Sequence, residues 1–192
     1  MNKIDINERY EKLKGIIKGR KVQFNELISF MENETAWLTS PASTKYHLCE
    51  EGGLLEHSVN VAETMIKIKS AIAPDISDES CVIVALLHDL GKAGMPGRPQ
   101  YLTNEPSEKQ KKHGYKPDYP YRFNSELTYL SVPVRSIYLA MKYIDLTEDE
   151  VQAIVYHDGQ YVEDNASVAT HEEPLTLLLQ YADSWSGFVI EK

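Results

Sequence analysis

Apolar residues recur at three- and four-residue spacing along almost the whole chain, and no stretch shows the strict alternation of a half-buried strand. The pattern therefore predicts an all-α protein. From Asn7 to Met31 it reads as one or two amphipathic helices interrupted near Gly15 and Gly19. A turn-rich segment, LTSPASTKYH, leads to the Gly52-Gly53 step, and a helix follows from Leu54 to about Ala73, where Pro74 stops it. Ser77 is placed to cap the next helix, which runs through VIVALLHDL and ends near Gly91. Residues 93–125 lose the period and turn rich in Pro, Gly, Lys and Tyr; an irregular stretch that long inside a compact domain is usually functional or disordered. Periodicity returns from Pro133 to Ile144. Thr147 and Glu150 form a capping-box signature ahead of VQAIVYH, and the last helix spans about Pro174 to Val189. Met31, Met65 and Met141 fall on apolar stripes and are expected in the core. No internal repeat or second domain emerges, so residues 1–192 read as one domain, with 1–44 a helical extension packed on a core of 45–190.

Charge and cysteine content narrow the setting. The net charge of −9 makes the surface as a whole repel nucleic acid, so extended nucleic acid is not an expected partner. Between Lys92 and Arg122, however, seven Lys/Arg face three acids, a local +4 that leaves −13 elsewhere. One basic segment on an acidic protein invites a specific small anion. No run approaches the roughly 18 apolar residues of a membrane span, and the start, MNKIDINERYEKLKG, is charged throughout. Cys49 and Cys81 provide neither a disulfide framework nor a CxxC pair. A reduced, cytoplasmic location without membrane association is expected.

The candidate chemistry lies where polar residues interrupt apolar helices. CVIVALLHDLGK is apolar nearly all round until His88 and Asp89, and Asp183 interrupts the core-like PLTLLLQYADSWSGFVI. A buried carboxylate without a partner is costly, so each needs a cation, an arginine or a metal. Lys92, three residues after Asp89, is the one cation at helical spacing. Two carboxylates and two imidazoles brought together make a mixed nitrogen/oxygen site suited to a divalent transition ion (manganese, iron, cobalt, nickel or zinc), with magnesium admissible.

Gly52-Gly53-Leu54-Leu55-Glu56-His57, then Leu86-Leu87-His88-Asp89-Leu90-Gly91-Lys92, then Ala182-Asp183 resembles the H…HD…D signature of the HD-domain metal-dependent phosphohydrolase superfamily. The likeness covers roughly Lys45 to Gly187. It implies a helical bundle in which several helices each contribute a ligand to one metal, here His57, His88, Asp89 and Asp183. A divalent ion would lower the pKa of a water and draw charge from a phosphoryl oxygen, allowing hydrolysis near neutral pH. Asp89 and Lys92 are then the expected catalytic pair, with Lys92 either binding the substrate phosphate or helping Asp89 to orient the nucleophile. Some superfamily members hold a second metal through extra histidines. The segment LSVPVRSIYLAMKY has none, and only His157 of VYHDG resembles such a ligand, so one metal is expected. His157 then stands behind the ligands or against the phosphate.

Other residues keep two readings each. His47 stands near the site or is a surface-loop histidine, and Arg135 reaches a phosphate or makes a surface ion pair. Tyr101, Tyr115, Tyr119 and Tyr121 interleave with Arg98, Lys112, Lys116 and Arg122; these either stack on a base and neutralise phosphate or pack the loop on the bundle. His113 and His171 are expected in solvent. GGLLEHS is similar to bacterial HD-type 3′→5′ exoribonucleases, whose separate nucleic-acid module is not expected in these 192 residues. The function implied is hydrolysis of a phosphoester in a nucleotide or short oligonucleotide. The alternative is a non-catalytic metal- or nucleotide-binding sensor. A di-iron oxygenase on the same scaffold would need more histidines than the sequence supplies.

Overall fold

The computed structural model describes residues 3–192, and its regular structure is almost entirely helical. The N-terminal pattern resolves into α1 (Lys3–Lys14) and α2 (Lys21–Glu34), with the break at residues 15–20. Next come α3 (Gly53–Ile72) and α4 (Asp78–Leu87), whose N-cap Ser77 accepts from the Ser80 N–H. After a long excursion the chain forms α6 (Val132–Ala140), α7 (Glu148–Val155) and α8 (Pro174–Trp185). The Thr147/Glu150 capping box is complete, each side chain bonding the other residue's backbone N–H. No described helix is long and apolar enough to cross a membrane.

Helix α3 packs along α4 and α8; α7 contacts α4, α6 and α8, and α1 lies on α3. Between them Phe24, Leu27, Met31, Trp37, Leu54, Met65, Ile83, Leu86 and Leu139 are fully buried. Trp37 satisfies its indole N–H on the Tyr10 hydroxyl, 3.3 Å away, as a buried indole must. Met31 and Met65 take their expected core places, whereas Met141 is 55% exposed. It caps α6 rather than continuing it, and the turn there lifts its side chain off the apolar stripe.

Three other expectations are corrected. The α4 helix stops at Leu87, and residues Leu90–Ala93 form a 3₁₀ turn instead of carrying the α-helix to Gly91. The cause is Ser136 on α6. Its hydroxyl donates to the His88 carbonyl at 3.0 Å and accepts from the Gly91 N–H at 2.8 Å, drawing both groups out of the helical ladder. Gly91 is required there, since a Cβ would stand 2.3 Å from the Val132 carbonyl oxygen.

Residues 93–125 are also not an irregular loop. Strands β1 (Tyr101–Thr103) and β2 (Tyr121–Phe123) pair antiparallel, with Tyr101 opposite Phe123, and enclose α5 (Glu108–His113). Three-residue strands are too short to display a period, although Tyr, Phe and Thr favour them. The Ser107/Gln110 capping box and Gly114 at the end of α5 were readable helix signals. Last, α8 ends at Trp185 and widens into a π-turn over Ser186–Ile190. Its final residues are not core: Trp185 and Phe188 are mostly exposed.

Candidate metal centre

His57 enters from the second turn of α3, where the Gly52-Gly53 step lets the preceding loop approach closely: a Cβ on Gly53 would lie 2.1 Å from the Leu48 carbonyl oxygen. His88 and Asp89 occupy the turn after α4, and Asp183 projects from the last turn of α8. These three elements place the four side chains together. His57 Nε2 lies 3.3 Å from His88 Nε2, 3.1 Å from Asp183 Oδ1 and 3.7 Å from Asp89 Oδ2. His88 Nε2 is 3.5 Å from Asp89 Oδ2 and 4.0 Å from Asp183 Oδ1.

These separations fit ligands of a single ion. Two atoms each roughly 2.1 Å from one metal stand about 3.0 Å apart at 90° and about 4.2 Å apart at 180°. The imidazole tautomers fit as well. His88 Nδ1 donates to the Ala85 carbonyl at 2.8 Å and His157 Nδ1 to the Ile154 carbonyl at 2.8 Å, while His57 Nδ1 meets the Glu191 carboxylate at 3.0 Å. With every Nδ1 committed, all three rings turn Nε2 inward, the arrangement metal-binding histidines use.

His157 comes from the end of α7 and puts Nε2 3.6 Å from Asp89 Oδ1, so Asp89 faces His57 and His88 with one oxygen and His157 with the other. His57, His88 and Asp183 form one potential ligand triad, and His88, Asp89 and His157 another. Lys92, carried by the 3₁₀ turn, pairs directly with Asp89 Oδ2.

The electrostatics follow from the crowding. Burial works against ionisation of Asp89 and Asp183, yet Lys92 with His88 for the first, and the three histidines for the second, hold both well below the usual carboxylate range. Burial alone would make His57 less basic, but Asp183 and Glu191 on its two nitrogens raise it to about 10. A divalent ion taking the Nε2 position must displace that proton, which ties metal uptake to pH.

His47 is half-buried, its ring 4.8 Å from that of His57 and its Nε2 3.8 Å from Glu191 Oε2. It is thus near the centre, although no hydrogen bond reaches that nitrogen. Lys116 and Arg135 are not brought to it. Lys116, His113 and His171 are exposed, and Arg135 is buried against Gln100 and the Thr128 carbonyl rather than making a surface ion pair.

Glu191 is the residue the sequence reading passed over. It looks like a terminal surface acid, but the π-turn after α8 returns it to His57, where its side chain is 1% exposed. Asn60 donates to its Oε1 at 2.9 Å, and Arg9 of α1 donates to Asn60 Oδ1 at 2.7 Å, so the N-terminal helix supports the site from behind. The apolar run GFVI just before it was the available signal. Glu191→Gln is expected to weaken divalent-metal binding by about 10- to 100-fold, read by competition with a chromophoric chelator. Unchanged affinity would mean that His57 needs no carboxylate behind it.

No curated protein and no solved structure gives a significant match to this chain. A family model described as the HD domain matches residues 54–184, a span that contains His57, the His88-Asp89 pair and Asp183. Two thirds of the sequence thus follows that model, on the helices that converge at the buried His/Asp cluster, and the chain belongs to the HD domain family, the metal-dependent phosphohydrolase superfamily.

Proposed function

We propose that this protein hydrolyses a phosphoester of a nucleotide or short oligonucleotide at the centre formed by His57, His88, Asp89 and Asp183. The observation that carries the reading is the common direction of the imidazoles: three Nδ1 atoms are tied off, leaving three Nε2 atoms beside two ionised carboxylates. One divalent transition ion held there would supply a nucleophile from water near neutral pH and positive charge for the phosphoryl oxygens.

The chain's own groups have separable tasks. Asp89 accepts a hydrogen bond from the Lys92 ammonium, which fixes its rotamer and keeps a positive charge at the edge of the cluster for a substrate phosphate. Burial would lower the Lys92 pKa, but Asp89 and Tyr101 more than offset it, so the ammonium stays charged across the working range. His157 Nε2, on the other side of Asp89, is placed to contact the phosphate or the departing oxygen. Tyr101 of the hairpin lies near enough to Lys92 to act on its charge. The acidic surface favours a small nucleotide over a long polyanion.

The test is product formation by purified protein with added manganese, on ribo- and deoxynucleotides, cyclic dinucleotides and short RNA. Conversion of one class by the parent and not by Asp89→Ala is the expected result. Lys92→Ala should retain metal but turn over about 100-fold more slowly. A filled metal site with no conversion of any substrate would replace hydrolysis with the sensor reading.

A further inference from the structure

Among the described residues, Arg135 has no counter-ion. Its side chain is 3% exposed, Nη1 and Nη2 donate to Gln100 Oε1 and the Thr128 carbonyl, and Nε is buried with no hydrogen-bond partner. A guanidinium does not shed its proton to escape burial, so an anion is the missing component. Burial pulls the Arg135 pKa down, and Tyr101, a phenol rather than a carboxylate, acts the other way.

The surroundings form a built cavity. Arg135 lines a space of about 470 Å³ between the hairpin and the start of α6, together with Gln100, Phe123, Tyr129, Ser131 and Val132. A second space of about 310 Å³ adjoins it at Arg135 and adds Arg98. On a chain of net charge −9, neither cavity has an acidic residue in its lining.

The backbone adds to the positive field. Ser131 is the N-cap of α6, yet its side chain makes no capping hydrogen bond, and Ser131 and Val132 both border the larger cavity. The Val132 N–H, without a side-chain cap, and the positive end of the α6 dipole therefore border the same space as Arg135, while Pro133 carries no N–H and the Arg135 N–H is bonded to the Ser131 carbonyl. At the mouth, Phe123 is 65% and Tyr129 90% exposed, with the Phe123 ring tilted against Tyr101 at 5.3 Å between centroids. None of the cavity's lining residues is a candidate metal ligand.

We propose that this cavity is a second, metal-independent binding site for a phosphate-bearing ligand with a flat aromatic body, of the class of a nucleoside monophosphate. The phosphate sits against the Arg135 guanidinium and takes the Val132 N–H, and the ring stacks against Phe123 and Tyr129. The proposal does not depend on the hydrolytic reading, because the metal centre contributes nothing to it.

The experiment uses the full chain stripped with EDTA and titrated with AMP, adenosine and inorganic phosphate, following backbone amide resonances. AMP is expected to bind about tenfold more tightly than either fragment and to shift the amides of Val132, Val134 and Arg135. Phe123→Ala and Tyr129→Ala, both at exposed positions, should weaken AMP about tenfold and leave phosphate unaffected. Arg135→Gln should remove both ligands. Because that residue also ties the hairpin to α6, Arg135→Lys serves as the second variant, binding both ligands more weakly than the parent and more tightly than Arg135→Gln. The proposal is overturned if AMP and phosphate fail to saturate, if the shifts cluster around Lys92, or if a folded Arg135→Gln protein binds both as the parent does.

Discussion

His88→Ala is expected to leave a folded helical protein that no longer retains a divalent ion. His88 is central to the cluster because it belongs to two of the three candidate ligand groups among the described residues, so its removal damages two at once. Loss of an outer partner such as Glu191 costs roughly 10- to 100-fold in affinity, and loss of a shared ligand should cost more. The measurement is metal content after purification, paired with thermal melting. In the parent, metal at about 100 times its Kd should add about 2.7 kcal/mol, raising Tm by roughly 5–10 °C. The variant should show no such rise. A variant that melts like the parent with and without metal, and still carries one equivalent, would remove His88 from the ligand set.

The second large effect is far from the metal. Glu150, fully buried, receives both arms of Arg20 at 2.6 Å and also closes the Thr147 capping box. Arg20 in turn bonds Glu79 at 3.1 Å, so one guanidinium joins the start of α2 to α4 and α7. Breaking one side of a buried pair leaves the other desolvated, and Glu150→Ala should cost about 3 kcal/mol, a Tm fall of roughly 6–12 °C.

The same pair sets an acid limit. Burial opposes ionisation of Glu150 and Glu79, but Arg20, helped by backbone N–H donors, holds both below the ordinary carboxylate value. A folded-state pKa below the unfolded one, about 4.3, means a contribution complete above that pH and lost as pH falls through the folded values. The parent should therefore lose stability more steeply below about pH 4 than Glu150→Ala does. Parallel acid titrations of the two proteins would reveal no such difference if the pair were immaterial.

How much of this was legible in the sequence depends on the range of the interaction involved. The helices were readable because the signals for them are local: the apolar period of α3, Ser77 before α4 and the Thr147/Glu150 box before α7 each act within one or two turns. The convergence of His57, His88, Asp89 and Asp183 was readable for a related reason. His88, Asp89 and Asp183 interrupt apolar stripes, which must face the core, so these groups needed something to satisfy them, whereas His57 came from the resemblance of GGLLEH to the HD signature. Within the excursion of residues 93–125, periodicity failed because strands of three residues contain too few positions to establish it.

Tertiary structure decided what depended on a partner distant in sequence. Ser136 ends α4 at Leu87 by bonding His88 and Gly91 from another helix, and this sets Lys92 against Asp89 on a 3₁₀ turn. Glu191 has an unremarkable local sequence, and only the π-turn after α8 makes it the partner of His57 Nδ1. Arg135 kept two readings in the sequence, a phosphate contact or a surface ion pair, and packing removed the second by burying it. The sequence by itself determined which faces are apolar and which polar residues must be buried, because both follow from spacing along one helix. Which nitrogen of each histidine is free, and which charges meet their counter-ions, was decided by the packing of one helix on another.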